Sequence, residues 1–186
     1  MLTADLGDGA QLRSLQPWQH AEFLEHLDRA REHIRPWVSP SFVATDAASA
    51  RGVLESYAER TARDDGGIWG IWDDGTLVGG VLFVSFNAVT GTCEAGCWLE
   101  PAAQGRGLVT RAMHLLLDEA FHERGMNRVE WRTLPANARS IAVASRLGMS
   151  KDGTLREVSR SADGPIDLEV WSLLAREWRP ASPGSV

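Results

Sequence analysis

EAGCWLEPAAQGRGLVTRAMHLLLDEA, residues 94–120, organises the rest of the chain. With Cys93 just before it, its first part alternates as a strand does, with Cys93, Ala95, Cys97 and Leu99 on one face and Glu94, Gly96 and Trp98 on the other. Its last part carries Val109, Ala112, Met113, Leu116, Leu117 and Ala120 at i, i+3, i+4, i+7, i+8 and i+11, the stripe of a helix laid on a sheet. Between them, Gln104-Gly105-Arg106-Gly107 puts two glycines at the helix entrance. A helix N-terminus leaves amide N–H groups unpaired and carries partial positive charge, so a glycine-rich entrance suits an anion such as phosphate. Two nucleotide-binding patterns are excluded by the residues themselves. The dinucleotide fingerprint lacks its third glycine, because Leu108, Val109 and Thr110 follow Gly107, and the Walker loop lacks its Lys-Ser/Thr pair.

Upstream of this stretch, Ala10–Leu15 reads as a short strand, and Pro17 opens a helix with Trp18, Ala21, Phe23, Leu24 and Leu27 inward. His20, His26 and His33 share no ligand spacing and are expected to be solvated. Ile34-Arg35-Pro36-Trp37-Val38-Ser39-Pro40 breaks the helix into a stiff loop whose Trp37 is suited to the wall of a substrate pocket. Asp46 is placed to cap a second helix over residues 47–63. Period two then takes over at Ile68–Trp72 and Leu77–Phe86, joined by the acidic turn Asp73-Asp74-Gly75-Thr76. Downstream, Gly125 closes the central helix and residues 127–133 form a fifth strand. Asn137 caps a short helix ending at Gly148, and two more strands lie near Thr154–Val158 and Asp167–Leu173.

At 186 residues the chain fits a single domain, expected over residues 1–179, with 180–186 a flexible tail. A net charge of −6 argues against general nucleic-acid binding, so an anionic ligand needs a local site. The first residues lack the pattern of a signal peptide, and Val78–Val84 is far short of the ~20 apolar residues that cross a bilayer. A cytoplasmic protein without membrane association is expected. Cys93 and Cys97, four apart on one strand, sit roughly 13 Å from each other, beyond the ~7 Å reach of a disulfide. They read as packing residues, and no metal site is expected.

The pattern Gln104-x-x-Gly107, then Asn137-x-x-Ser140, then Leu147-Gly148-Met149, resembles the GNAT superfamily of N-acetyltransferases. Its RimJ/RimL branch, which acetylates protein N-termini, is the nearer resemblance, carried also by Arg35-Pro36-Trp37, residues 97–101, residues 127–130 and residues 153–157. The resemblance implies a mixed α/β fold: a mostly antiparallel sheet of about seven strands, splayed between the fourth and fifth, with about four helices. It also implies acetyl-CoA as co-substrate, with no metal. The pyrophosphate would take the amides of Gly105, Arg106, Gly107, Leu108 and Val109, next to Gln104, with Arg106 adding its charge and Arg111 or Arg139 reaching the 3′-phosphate. Val109 stands where the family favours Gly or Ala and is expected to crowd the turn. The pantetheine would bond to backbone near Trp98 and Leu99 and to Asn137. Ser140 stands where this branch keeps a hydroxyl near the CoA sulfur, and Glu94 where related members keep a base.

The implied reaction is direct transfer of an acetyl group to a primary amine in a ternary complex. The first-choice acceptor is a protein N-terminal α-amine, held beside Trp37 and Glu94. The alternatives are a small-molecule amine such as an antibiotic, polyamine or amino sugar, a longer acyl group, or a silent acyl-CoA-binding module. The sequence leaves a homodimer open.

Overall fold

The computed structural model describes residues 3–161 and 164–179; the tail expected at 180–186 lies outside them. In chain order the elements are β1 (Thr3–Gly7), β2 (Ala10–Ser14), α1 (His20–Ile34), α2 (Ala47–Ala62), β3 (Gly67–Asp73), β4 (Thr76–Asn87) and β5 (Thr92–Leu99). There follow α3 (Leu108–Asp118), β6 (Arg128–Thr133), α4 (Ala138–Arg146), β7 (Ser150–Ser161) and β8 (Gly164–Leu174). All the strands join one mixed sheet in the order β1-β2-β3-β4-β5-β6-β8-β7. The only parallel pair in that order is β5 with β6; the rest are antiparallel.

The expected seven strands become eight because Thr3–Gly7 pairs with β2. Gly7, Asp8 and Gly9 all have positive φ, at 78°, 54° and 78°, which lets the chain reverse there. The caps fall where their residue types place them. Asp46 accepts from the Ser49 amide at 2.8 Å, and Asn137 accepts from the Ser140 amide at 3.1 Å.

The sheet separates two apolar layers, and the alternation of β5 assigns a face to each. Cys93 and Ala95 join the layer under α3 and α4, built around Ala112, Met113, Leu116 and Leu117, each 0% exposed. Trp98 joins the layer under α1 and α2, with Phe23, Leu27 and Leu54. Burying a leucine of this kind contributes about 1.5–3 kcal/mol, so α3, poor in capping side chains, is held chiefly by its stripe. Gly80 sits opposite Trp98 in the β4–β5 ladder, where a Cβ would stand 2.2 Å from the indole. Only glycine admits that ring.

The site follows from one irregularity of register. The β5–β6 ladder runs from Thr92↔Arg128 to Ala95↔Trp131 and stops, although β5 continues to Leu99 and β6 to Thr133. Beyond residues 95 and 131 the two strands diverge, and the sheet is open between them.

Candidate functional site: a splayed sheet and a free amide loop

The glycine turn enters α3 through two left-handed residues, Gly105 at φ 79° and Gly107 at φ 72°, the latter the N-cap. Arg111 is the first residue whose amide closes a helical bond, to the Gly107 carbonyl at 3.0 Å. The amides of residues 105–110 donate to no protein acceptor among the described residues. A Cβ built on Gly105 meets nothing within 4 Å, and one on Gly107 meets only Arg111 Nη1 at 4.0 Å, so both face open space. This is a turn with its donors unspent and open to the cleft, and its positive φ values restrict it to glycine at both positions. Val109, 8% exposed, packs into the layer beneath α3 and also lines the cleft beside the turn.

The side chains around the turn depart from expectation. The Arg106 guanidinium engages Asp73, with Nη2 3.0 Å from Oδ1, and this pairing lowers the pKa of the Asp73 carboxyl. The Arg106 side chain is thus shared with β3, while its amide stays in the turn. The Gln104 side chain meets His33 Nε2 at 2.7 Å, so His33 ties α1 to the turn rather than being solvated; burial and the nearby Arg139 lower its pKa. Arg111 pairs with Asp8 at 3.3 Å. Arg139 has no ion pair among the described residues.

A cleft of about 2130 Å³ runs from this turn through the open sheet to the α1–α2 loop. On its α1/α2 side stand Trp37, Tyr57 and Glu94. The Glu94 carboxyl is held above its usual pKa, first by burial and then by Glu130, against the opposing charge of Arg132, whose Nε lies 3.5 Å away. On its other side stand Asn137, which caps α4, and Ser140 within it. The Ser140 hydroxyl accepts from the Trp131 indole N–H at 2.8 Å, which leaves its own proton to donate elsewhere. Asn137 spends its carbonyl on the cap and keeps its amide N–H₂. Trp98 presents backbone only, its ring being buried, and Leu99 lines the cleft beside it.

One residue that the sequence reading did not single out, Thr133, emerges beside one that it did, Arg111. Thr133 Oγ1 and Arg111 Nε are buried without a hydrogen-bond partner, and both residues line the cleft. An unmade buried hydrogen bond costs ~1–3 kcal/mol, so two at one cleft point to a polar ligand. Nothing in the period-two pattern of residues 127–133 distinguishes Thr133; its role depends on where the ladder stops.

His26 is the clearest correction. Expected to be solvated, it is fully buried, because it lies on the inner face of α1 beside the end of β5. The Trp98 indole donates to Nε2 at 3.0 Å, so the proton sits on Nδ1, which donates to Glu100 at 3.2 Å. Arg29 completes the cluster, donating to Glu100 at 3.1 Å and to the Leu77 carbonyl at 2.7 Å. Burial lowers the His26 pKa to about 4, with Glu100 opposing. The acidic partner comes from residue 100, too distant in sequence for local spacing to reveal.

Among the described residues, no group of three or more His, Cys, Asp or Glu is placed to hold a metal ion, and no helix is long and apolar enough to cross a membrane.

An eight-stranded mixed sheet opened at its one parallel pair, beside a free amide loop at a helix entrance, defines an acyl-CoA-dependent transferase scaffold. Residues 11–150 match the acetyltransferase (GNAT) domain, and the chain belongs to that family, in its RimJ/RimL-like branch. It is an acetyl-CoA-dependent N-acetyltransferase. The chain is 27% identical over 182 residues to "Putative ribosomal N-acetyltransferase YdaF" of Bacillus subtilis (strain 168), covering 96% of this chain and 98% of that protein. It is 22% identical over 167 residues to the ribosomal-protein-serine acetyltransferase of Escherichia coli (strain K12), covering 82% and 93%. A crystal structure described as "Probable acetyltransferase" superposes with a TM-score of 0.85 at 26% identity over 96% of this chain and 99% of that one. RimL, the ribosomal L7/L12 alpha-N-protein acetyltransferase, solved in complex with coenzyme A, superposes with a TM-score of 0.85 over 92% and 97%; at 15% identity this likeness shows the fold alone.

Proposed function

We propose that this enzyme acetylates the α-amine of a protein N-terminus, directly and in a ternary complex with acetyl-CoA. The observation that carries the co-substrate half is the row of unspent amides at residues 105–110. In this reading they receive the diphosphate, with Gln104 beside them, while the thioester arm lies in the gap between β5 and β6. There, backbone near Trp98 and Leu99 and the Asn137 amide can bond the pantetheine as an added strand would. The acceptor half is supported by near-full-length relatives named for ribosomal-protein acetylation.

In this reading the amine arrives from the α1/α2 side, past Trp37. An α-amino group has a pKa near ~8, so a carboxylate with a raised pKa, acting through water, is enough to take its proton; Glu94 is that group. The neutral nitrogen attacks the thioester carbon, a backbone N–H near Leu99 polarises the carbonyl oxygen, and the C–S bond breaks. Ser140 gives a proton to the departing thiolate and regains one, through water, from the nitrogen as the amide forms. The products are the acetylated amine, CoA thiol and one proton released to solvent.

The test is thiol release from acetyl-CoA, with mass spectrometry of the products, over a panel of N-terminal peptides, polyamines, amino sugars and aminoglycosides. Acetylated α-amines, with small amines inert, are expected. Turnover confined to small amines would replace the acceptor, and CoA binding without thiol release from any amine would make the protein a sensor.

A further inference from the structure

The chain is acidic overall, yet its cleft is not. Among the described residues, Glu94 is the only carboxylate lining it, against seven arginines. Three of these are already neutralised: Arg35 by Glu32, Arg111 by Asp8, and Arg132 by Glu94 and Glu130. Arg60, Arg139, Arg146 and Arg160 have no ion pair among the described residues. Arg139 and Arg146 belong to α4, the element that carries Asn137 and Ser140, and their charge suits the phosphates of CoA. Arg60 belongs to the opposite wall. It lies in the last turn of α2, half-buried, on the face of the sheet that Glu94 shares.

Arg60 is held in place without being neutralised. Its Nη1 donates at 2.7 Å to the carbonyl of Val84, the extra residue where the β4–β5 register slips between Phe83 and Ser85. Its guanidinium lies 5.7 Å from the centre of the Tyr57 ring. The Tyr57 hydroxyl feels both neighbours: burial raises its pKa, Glu94 adds to the rise, and Arg60 opposes it. A guanidinium has five N–H donors in a rigid fork suited to a carboxylate, and only one is spent here. From these contacts we infer that the acceptor is an amine carrying a carboxylate close to the nitrogen, an N-terminal peptide with an acidic residue at its second or third position, whose anion docks on Arg60 while its amine meets Glu94. Arg160, exposed on the β7–β8 ribbon that lines the same cleft, offers a second cation to a longer acidic segment. The inference rests on the Glu94 side of the cleft being the acceptor side.

The test uses the full-length enzyme with acetyl-CoA and isosteric peptide pairs that differ only as Asp against Asn, or Glu against Gln, at positions two and three. The same comparison is made for single amino acids against their amides, and for the Arg60→Gln enzyme. A charge-assisted hydrogen bond predicts a ~10- to 100-fold preference in kcat/KM for the acidic member, falling toward unity in Arg60→Gln. The preference appearing in peptides identifies a peptide acceptor; its appearance only in free amino acids overturns that part. Equal turnover of acidic and neutral peptides by the wild-type enzyme overturns the inference while leaving N-terminal acetylation intact. Acetylation of no peptide and no amino acid overturns the acceptor reading itself. A preference undiminished in Arg60→Gln removes Arg60. The wild-type comparison needs no variant, so a folding defect at residue 60 cannot obscure it.

Discussion

Replacing Gly107 by alanine separates the cradle's role in binding from its role in folding. The residue has φ 72°, a conformation that costs an L-residue about 1–2 kcal/mol. The new Cβ meets no protein atom closer than 4.0 Å, so backbone strain is the whole penalty to the fold. For a chain of 186 residues this corresponds to a fall in Tm of about 2–8 °C. The same methyl group projects into the space the free amides face. Loss of two charge-assisted hydrogen bonds at ~1.5–3 kcal/mol each weakens CoA by ~10²- to 10⁴-fold. Titration calorimetry with CoA, paired with a thermal melt, reads both quantities. Gly153→Ala is the control, at a glycine outside the cleft with nothing within 4 Å of a new Cβ. A Gly107→Ala protein that melts within this range and binds CoA within about threefold of wild type would refute the diphosphate cradle.

Ser140→Ala is expected to lower kcat more than it raises the KM for acetyl-CoA, and to cost ~1–3 kcal/mol of stability by orphaning the Trp131 indole N–H; equal changes in kcat and KM count against a proton-donating role. Glu94 has a folded pKa raised above its unfolded one, so its native environment favours the protonated acid and opposes the carboxylate. Glu94→Gln therefore raises Tm relative to wild type as pH climbs from the ordinary carboxylate range through the raised pKa, while slowing turnover most at low pH; an unchanged pH–rate profile removes Glu94 from the mechanism. His26 has the opposite sign. Its folded pKa, near 4 against 6.5, means the wild-type fold loses stability as pH falls between those values, by roughly 3 kcal/mol in all. Melts of His26→Gln across that window should show a shallower acid limb, and an identical slope would discard the buried neutral imidazole.

The parts of this fold readable from sequence are those fixed by local chemistry. The α3 stripe, the Asp46 and Asn137 caps and the Asp74-Gly75 turn, at φ 45° and 80°, all stand where their residue types put them. The missed strand Thr3–Gly7 is short and forms only because β2 offers an edge. His26 was legible as helical but not as buried. Its partners, Glu100 and Trp98, are 74 and 72 residues away, and no periodicity within α1 reports on them. The glycines of the cradle could be read because positive φ restricts the residue type. Arg106 and Thr133 could not, since one depends on which carboxylate the fold brings near and the other on where two strands part.

Trp178 sits outside the stretch that matches the family, yet it completes the molecule. Its indole donates to Asp118 at 2.7 Å, its ring abuts His114 with centroids 5.1 Å apart, and 6% of its surface remains exposed. Between it and residue 150 runs β8, which zips along β6 from Arg128 to Thr133. A fragment trimmed to residues 11–150 would bare both the flank of β6 and the outer side of α3. The smallest piece worth expressing on its own therefore extends through Trp178, and an affinity tag belongs beyond that residue.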